Sequence, residues 1–341
     1  MSYQVLYRKY RPKLFSDVIG QDHIVNVLDG SIKLGNYSHA YLFSGSRGTG
    51  KTSVARILAS EMGISVNDLY EIDAASNNSV ENIRDLKESV NTLPFESTHK
   101  IYILDEAHML SKSAFNAFLK ILEEPPSYVI FVLATTELHK IPETIISRCQ
   151  VFNFKKPSQS VLRDSILAMA KTEGYSVKPS SADLIATLSD GSFRDSQMIL
   201  QKIIGGCTEK NITEEYVEII IGAPNSQLIN NFIDSVANSD IEKGIGSLKI
   251  ALQQNIDMKV FARLLLQKLR QILLIRFSGE IRQSIKNELS EEDYIFLTNI
   301  STNLKINSYT LVEFLKAYDS IGKNPIPELP LEMALFNIST K

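Results

Sequence analysis

The sequence predicts a parallel α/β domain built around a phosphate-binding loop, followed by an all-helical second half. Three observations predict it. A glycine-rich loop has a strand pattern before it and a helix pattern after it. Five short apolar runs alternate with helical patterns between residues 40 and 154. Beyond Pro157 and Ser158 the periodicity is helical alone. Strands that alternate with helices form a parallel sheet covered on both faces.

The loop is Gly45-Ser46-Arg47-Gly48-Thr49-Gly50-Lys51-Thr52, which fits G-x-x-x-x-G-K-[ST] at every position. Ala40-Tyr41-Leu42-Phe43-Ser44 before it is short and apolar, as a buried parallel strand is. From Ser53 to Met62 the spacing of Val54, Leu58 and Met62 predicts one apolar helix face. Glycines let several backbone N–H groups turn inward, and a helix N-terminus adds its positive dipole end. Lys51 is then expected to reach the β- and γ-phosphates of a nucleotide, and the Thr52 hydroxyl to ligate Mg²⁺.

The five runs are Tyr41–Ser44, Leu69–Asp73, Lys100–Leu104, Tyr128–Ala134 and Gln150–Phe154. The third continues into Asp105-Glu106-Ala107-His108. Strand alternation predicts that the two acids point to opposite sides and have different tasks. Asp105 suits the Mg²⁺ shell, and Glu106 suits orientation and deprotonation of an attacking water. An acidic helix N-terminus would use the same residue types; the loop upstream favours catalysis. His108 is read as a satisfied structural histidine rather than a metal ligand.

Thr135-Thr136 ends the fourth run, where a hydroxyl would lie beside the γ-phosphate or simply close a strand-end turn. Ser147-Arg148-Cys149 precedes the fifth run. Arginine stabilises phosphoryl charge through its planar fork, although spacing alone does not single out Arg148. Arg194, at a helix start in Gly191-Ser192-Phe193-Arg194-Asp195, reaches back to the nucleotide or pairs with an acid such as Asp195.

In the second half, Ser160–Lys171, Ser181–Leu188 and Phe193–Ile204 read as short amphipathic helices. Gly222-Ala223-Pro224-Asn225-Ser226 is a breaker cluster. Beyond it Met258–Phe277 carries Phe261, Leu264, Leu265, Leu269, Ile272 and Ile275 on a stripe of bundle-core type, with further helices at Tyr309–Ile321 and Leu331–Ile338. These breaks set expected domains at residues 1–157, 158–222 and 223–341.

Composition bounds the partners. At 341 residues, 44% hydrophobic and 22% charged, the chain has the makeup of a globular protein with several domains. No apolar run reaches the length of a membrane span, and residues 1–9 lack a signal-peptide core. Cys149 and Cys207, without ligands at metal spacing, predict a reduced cytoplasmic protein without zinc. A net charge of −3 confines any nucleic-acid contact to a local basic surface.

Seven segments in order then carry a family resemblance. They are Tyr7-Arg8-Lys9-Tyr10-Arg11-Pro12, Val18-Ile19-Gly20-Gln21, the phosphate loop, Glu71-Ile72-Asp73-Ala74-Ala75-Ser76, Leu104-Asp105-Glu106-Ala107-His108-Met109-Leu110, Leu122-Glu123-Glu124-Pro125-Pro126 and Ser147-Arg148-Cys149. The chain resembles the γ/τ family of bacterial DNA polymerase III, the ATPases of the sliding-clamp loader. The resemblance spans essentially the whole chain and is most specific in the first half.

It implies an AAA+ phosphate-loop ATPase domain with a five-stranded parallel sheet, a helical lid and a helical collar that joins subunits into a pentamer. ATP and Mg²⁺ are the implied ligands. δ- and δ′-type subunits, the β sliding clamp and primer–template DNA are the implied partners. By the same resemblance Tyr7, Arg11, Pro12, Val18 and Ile19 line the adenine pocket, and the loop residues Gly45 to Thr52 with Ser53 hold the phosphates. Thr136 is a first sensor and Arg194 a second. Arg148 is a finger reaching a neighbouring subunit's ATP, and Arg84 and Lys120 track the DNA backbone.

One departure is plain: members usually carry a four-cysteine zinc module before the second strand, and Glu61-Met62-Gly63-Ile64-Ser65-Val66-Asn67-Asp68 bridges that gap without cysteine. The chain is also expected to be a γ-length form or a shortened τ. Four rival readings are weighed against it. A DEAH-type helicase would need a second RecA-like domain, which the helical residues after 158 do not supply; a hexameric AAA+ translocase differs in subunit count. A non-hydrolysing structural subunit fits poorly with intact Lys51, Thr52, Asp105 and Glu106, and a metabolic kinase with the lack of an acceptor site.

Overall fold

A computed structural model describes residues 4–207, 209–279, 282, 283, 285 and 291–340. The chain forms two compact units. One comprises the chain up to Glu173 with Ile185–Gln201; the other comprises Gly174–Leu184 with the chain from Lys202 onward.

The first unit holds a five-stranded parallel sheet. Its strands are β1 (Ala40–Ser44), β2 (Leu69–Asp73), β3 (Lys100–Asp105), β4 (Val129–Thr135) and β5 (Gln150–Asn153), in spatial order β2-β3-β4-β1-β5. The three central strands are buried almost throughout, as strands covered on both faces must be. Alternate residues serve opposite cores. Tyr41, Phe43, Ile101, Ile103, Ile130 and Val132 face one core, which takes Ile24 and Leu28 of α2 (Asp22–Lys33) and Val54, Ile57 and Leu58 of α3 (Lys51–Glu61). Leu42, Tyr102, Leu104, Phe131 and Leu133 face the other, against Ile83 and Leu86 of α4 (Val80–Val90) and Phe115, Phe118 and Leu122 of α5 (Lys112–Glu123). A short α1 (Leu6–Lys9) precedes them, and α6 (Glu143–Ile146) leads into β5.

Serines start three helices. Ser79 and Asn82 form a capping box on α4, and Ser111 and Ser158 accept from the first turns of α5 and of α7 (Gln159–Thr172). Helix α3 has no side-chain cap. Gly50 precedes it at φ 102°, a left-handed backbone that glycine adopts readily, and this sets the helix start at Lys51, two residues before the apolar face suggested.

The second unit is helical apart from a two-residue parallel pair, β6 (Ser176–Val177) with β7 (Asn211–Ile212). Helices α8 (Pro179–Leu188) and α9 (Phe193–Gly206) each contribute residues to both units, and α10 (Glu214–Ile221) ends at Gly222 in left-handed conformation. The bundle then comprises α11 (Ser226–Asn238), α12 (Ile241–Gln253), α13 (Met258–Phe277), α14 (Glu291–Ile300), α15 (Ser308–Ser320) and α16 (Leu329–Ser339). Its core holds Phe232, Phe261, Leu265, Leu269, Phe314 and Leu335. A side chain at Gly244 would meet Leu335 Cδ2 at 2.5 Å, so α12 packs too closely for one. Lys268 Nζ donates to Ser226 Oγ at 2.5 Å, Asn230 Oδ1 at 2.7 Å and Asp293 Oδ1 at 2.8 Å, tying α11, α13 and α14 together. Among the described residues no helix is long and apolar enough to cross a membrane.

The segment that bridges α3 and β2 without cysteines is held by a buried carboxylate. Asp68 accepts backbone N–H bonds from Phe95 (2.6 Å), Glu96 (2.9 Å) and Ser97 (2.7 Å). Burial alone would raise its pKa; the three N–H donors outweigh burial and bring it down to about 2. Asp68→Ala leaves three donors orphaned and is expected to cost roughly 2–4 kcal/mol of stability. The folded pKa lies below the unfolded one, so the stabilisation is complete above about pH 4 and is lost as pH falls toward 2. Thermal melts between pH 7 and pH 2 check both points. The gap between wild type and Asp68→Asn should close across that window, and a gap independent of pH would contradict the assignment.

Candidate active site

The C-terminal ends of β1, β3 and β4 converge because β4 lies between β1 and β3. This arrangement sets the phosphate loop, the two acids and the Thr135-Thr136 pair side by side. A cavity of about 910 Å³ opens beside them, within the first unit.

The loop is shaped by close approach. Gly45 has φ 154°, and a Cβ there would meet Phe154 O at 2.6 Å; a Cβ on Gly48 would meet Ser192 Oγ at 2.0 Å. Lys51 is only 6% exposed. Its ammonium donates to Gly45 O at 2.8 Å and Ser46 O at 3.0 Å. Burial lowers its pKa, while the Glu106 and Asp105 carboxylates raise it. Thr49 Oγ1 donates to Ser46 O at 2.9 Å. Ser46 Oγ is buried and has no hydrogen-bond partner among the described residues. A buried hydroxyl left over, a buried ammonium on carbonyls and an uncapped helix N-terminus together fit a polyphosphate.

Thr52 Oγ1 donates to Asp105 Oδ2 at 2.9 Å. These two oxygens are hard donors, and Mg²⁺ takes one or two protein ligands beside waters and phosphates, so the pair fits that ion. Asp105 Oδ1 accepts from the Glu106 backbone N–H at 3.0 Å. Glu106 stands at φ 48°, ψ 45°. The strand therefore ends at Asp105, and a left-handed kink, not strand alternation, separates the two acids. The kink holds a non-glycine residue in sparsely populated backbone space, as is common at functional sites. Thr136 Oγ1 donates to Glu106 Oε2 at 3.1 Å.

The cavity wall takes in Tyr7, Arg11, Pro12, Val18 and Ile19, together with Arg47, Gly48, Thr49, Gly50, Ser53 and Arg194. Gln21 clamps the Val18–Ile19 segment to the chain after β5: its amide donates to Lys155 O at 2.8 Å and accepts from Lys155 N at 3.2 Å. Arg11 Nε donates to Ser53 Oγ at 3.1 Å, and burial and the neighbouring Arg56 cation lower its pKa. Tyr10 donates to Glu173 at 2.5 Å, and burial, then that carboxylate, pushes its pKa up to about 12. The Arg194 guanidinium lies over the Tyr7 ring at 5.1 Å. Phe193 N donates to Gly48 O at 3.0 Å, which seats the start of α9 on the phosphate loop.

One wall escaped the sequence reading: Ser165, Ala168, Met169 and Thr172 of α7 line the cavity, and that helix carried only an amphipathic period, which says nothing about a ligand. On α9, Gln197 joins the expected Arg194 at the cavity. Arg148 does not line this cavity. It donates to Thr144 O at 2.8 Å and to Glu123 Oε1 at 2.8 Å. Arg84 and Lys120 are exposed on α4 and α5. Burial pushes the free Cys149 thiol up to about 12. Among the described residues no three His, Cys, Asp or Glu side chains are grouped to hold a metal ion.

Residues 63–158 match the family model described as DNA polymerase III, delta subunit, and residues 212–340 match that for DNA polymerase III subunits gamma and tau domain III. DNA polymerase III subunit tau of Bacillus subtilis is 36% identical over 99% of this chain and 63% of its own length. DNA polymerase III subunit tau of Escherichia coli is 36% identical over 82% of this chain and 46% of its own. DNA polymerase III subunit gamma of Buchnera aphidicola is 34% identical over 100% of this chain and 99% of its own. The chain thus spans less than two thirds of the two tau relatives. Among solved structures, the RuvB Holliday junction branch migration motor of Thermotoga maritima superposes with a TM-score of 0.54 at 18% identity, over 67% of this chain and 79% of that one. At that identity the likeness is one of fold alone. On the extent and identity of the gamma match, the chain belongs to the family of DNA polymerase III gamma and tau subunits.

Proposed function

We propose that this chain is an ATP-hydrolysing motor subunit of the bacterial sliding-clamp loader, acting within DNA polymerase III in the cytoplasm to open the clamp and load it on primed DNA. The observation that carries the reading is the pairing at the strand ends: Thr52 bonded to Asp105 and Thr136 bonded to Glu106, beside the buried Lys51. Its relatives are named as DNA polymerase III subunits. The proposed layout is an ATPase domain over 1–157, a lid over 158–222 and a collar over 223–341, with δ- and δ′-type subunits completing a pentamer.

In this reading the backbone N–H groups of Gly45 to Thr52 and the start of α3 hold the phosphates, and Lys51 leaves its carbonyls for the β- and γ-oxygens. Thr52 and Asp105 would hold Mg²⁺, which would supply charge neutralisation at the phosphates. Glu106 takes the proton of the attacking water, and Thr136 fixes the carboxylate that does so. Arg194 serves the chain's own nucleotide, and Arg148 that of the neighbouring subunit. The Tyr7–Pro12 segment, Val18 and Ile19 enclose the base. Arg84 and Lys120 contact DNA phosphates, which carry affinity without sequence information.

Lys51→Ala removes the cation that faces the phosphates and is expected to weaken ATP binding on the order of 100-fold, about 2.8 kcal/mol. Titration with a fluorescent ATP analogue measures this, and wild-type affinity would rule out the loop's assignment.

Glu106→Gln keeps the shape but removes the base. ATP should bind and persist while turnover falls by roughly 10²–10⁴. Single-turnover hydrolysis separates the two effects, and a wild-type rate would remove Glu106 from the base's role.

Arg148→Ala should leave ATP binding intact and cut hydrolysis by roughly 10³–10⁵. Arg148 lies outside its own chain's cavity, so mixed assemblies of Arg148→Ala and Lys51→Ala chains should regain part of the activity that each lacks. A mixture that stays inactive, although native mass measurement shows mixed oligomers, would make Arg148 a structural arginine.

A further inference from the structure

The imidazole of His108 sits beside the carboxylate proposed as the base. Its side chain is only 7% exposed. Nδ1 lies 3.1 Å from Thr135 Oγ1 and 3.4 Å from Glu106 Oε2, and Nε2 lies 3.3 Å from Glu137 Oε1. Glu137 is itself fixed: its backbone N–H donates to Thr135 Oγ1 at 3.0 Å, and Lys140 Nζ donates to its carboxylate at 2.9 Å. The Lys140 bond, more than any other influence, holds the Glu137 carboxyl below the ordinary range.

Each ring nitrogen faces a carboxylate oxygen, Nδ1 that of Glu106 and Nε2 that of Glu137, with Thr135 Oγ1 sharing the Nδ1 side. A ring N–H turned toward a carboxylate holds it in place, so the ring is set to bridge the two acids. Glu106, in turn, hangs from a left-handed kink after the strand has ended, so the sheet does not fix its side chain. Thr136 and His108 both meet the same carboxylate oxygen, Oε2.

We propose that His108, braced on Glu137 and Thr135, is a positioning residue that fixes the Glu106 carboxylate, so that Oε1 is the oxygen presented to the attacking water. The inference rests on the reading of Glu106 as the base. It also ties the carboxylate's aim to the turn Glu137–Lys140, which begins the segment leading through α6 to Arg148.

The test is a kinetic cycle on the full chain in its ATP-hydrolysing assembly. His108→Ala should lower kcat roughly 10–100-fold, the scale of a misplaced reacting group, with KM and ATP affinity within about twofold of wild type. His108→Asn, which restores a polar atom at the Nδ1 position, should recover most of the loss. Glu137→Gln should lower kcat in the same direction by a smaller factor. In a Glu106→Gln background His108→Ala should add no further loss, because nothing remains to be positioned.

A His108→Ala kcat within twofold of wild type, a change in KM instead of kcat, or losses that multiply in the double variant would each overturn the proposal. If His108→Ala does not fold, Glu137→Gln with and without Glu106→Gln closes the same cycle. Wild-type turnover by Glu106→Gln itself would sink the base and its positioning residue together. A slow Glu106→Gln beside an unimpaired His108→Ala would sink the positioning residue alone.

Discussion

A lysine ammonium taken out of water is costly unless anions or well-placed carbonyls surround it. Lys51 is in this position. Two loop carbonyls accept its hydrogen bonds, and the carboxylates of Asp105 and Glu106 supply negative charge at longer range. The rest of the first unit serves that arrangement. The loop must bend enough to offer Gly45 O and Ser46 O, which needs glycines where Phe154 and Ser192 leave no room. The acids must come from the far side of β4, which the strand order β2-β3-β4-β1-β5 secures. A polyphosphate entering the loop gives the cation better partners than carbonyls and releases those carbonyls in exchange.

The second unit solves a different problem with a related device. Its core is aliphatic and aromatic, yet Lys268 is also largely buried, held by Ser226, Asn230 and Asp293. Burial lowers the Lys268 pKa, and Asp293 opposes that shift. Every polar group of that network has a partner, so it fixes the registry of three helices without leaving a vacancy for a ligand. At Lys51 the partners are exchangeable carbonyls, and Ser46 Oγ beside them lacks a partner among the described residues. One buried cation is locked and the other is poised for exchange.

Much of this was legible in the sequence, for physical reasons that can be named. The phosphate loop is read directly because its chemistry is local: glycines, Lys51 and Thr52 must follow one another. The three central strands show as apolar runs because both faces of the sheet are covered there, whereas β2 and β5 at the edges are partly exposed. The kink at Glu106 was not legible, since a carboxylate after a strand carries no mark of a left-handed backbone. The contribution of α7 to the cavity was hidden because it depends on a chain reversal, whereas its periodicity reports only which side is apolar. Arg148 drew attention by residue type, but its contacts with Thr144 and Glu123 came from the fold alone. His108 was read as a satisfied structural histidine; that Glu106, Thr135 and Glu137 all adjoin its ring is a tertiary fact.

Helix α3 begins at a glycine and lacks both a side-chain cap and an acidic residue in its first turn. Its leading N–H groups are therefore completed by a ligand or by water. Whatever binds them selects the folded over the unfolded chain, and the stabilisation grows with the logarithm of ligand concentration, by about 2.7 kcal/mol at a hundredfold excess over Kd. The thermal tolerance of the first unit is in this sense not a fixed property of the polypeptide. It rises and falls with the concentration of whatever anion the helix N-terminus holds; on the proposed function that anion is a nucleotide's phosphate, and scarcity of nucleotide would loosen the fold.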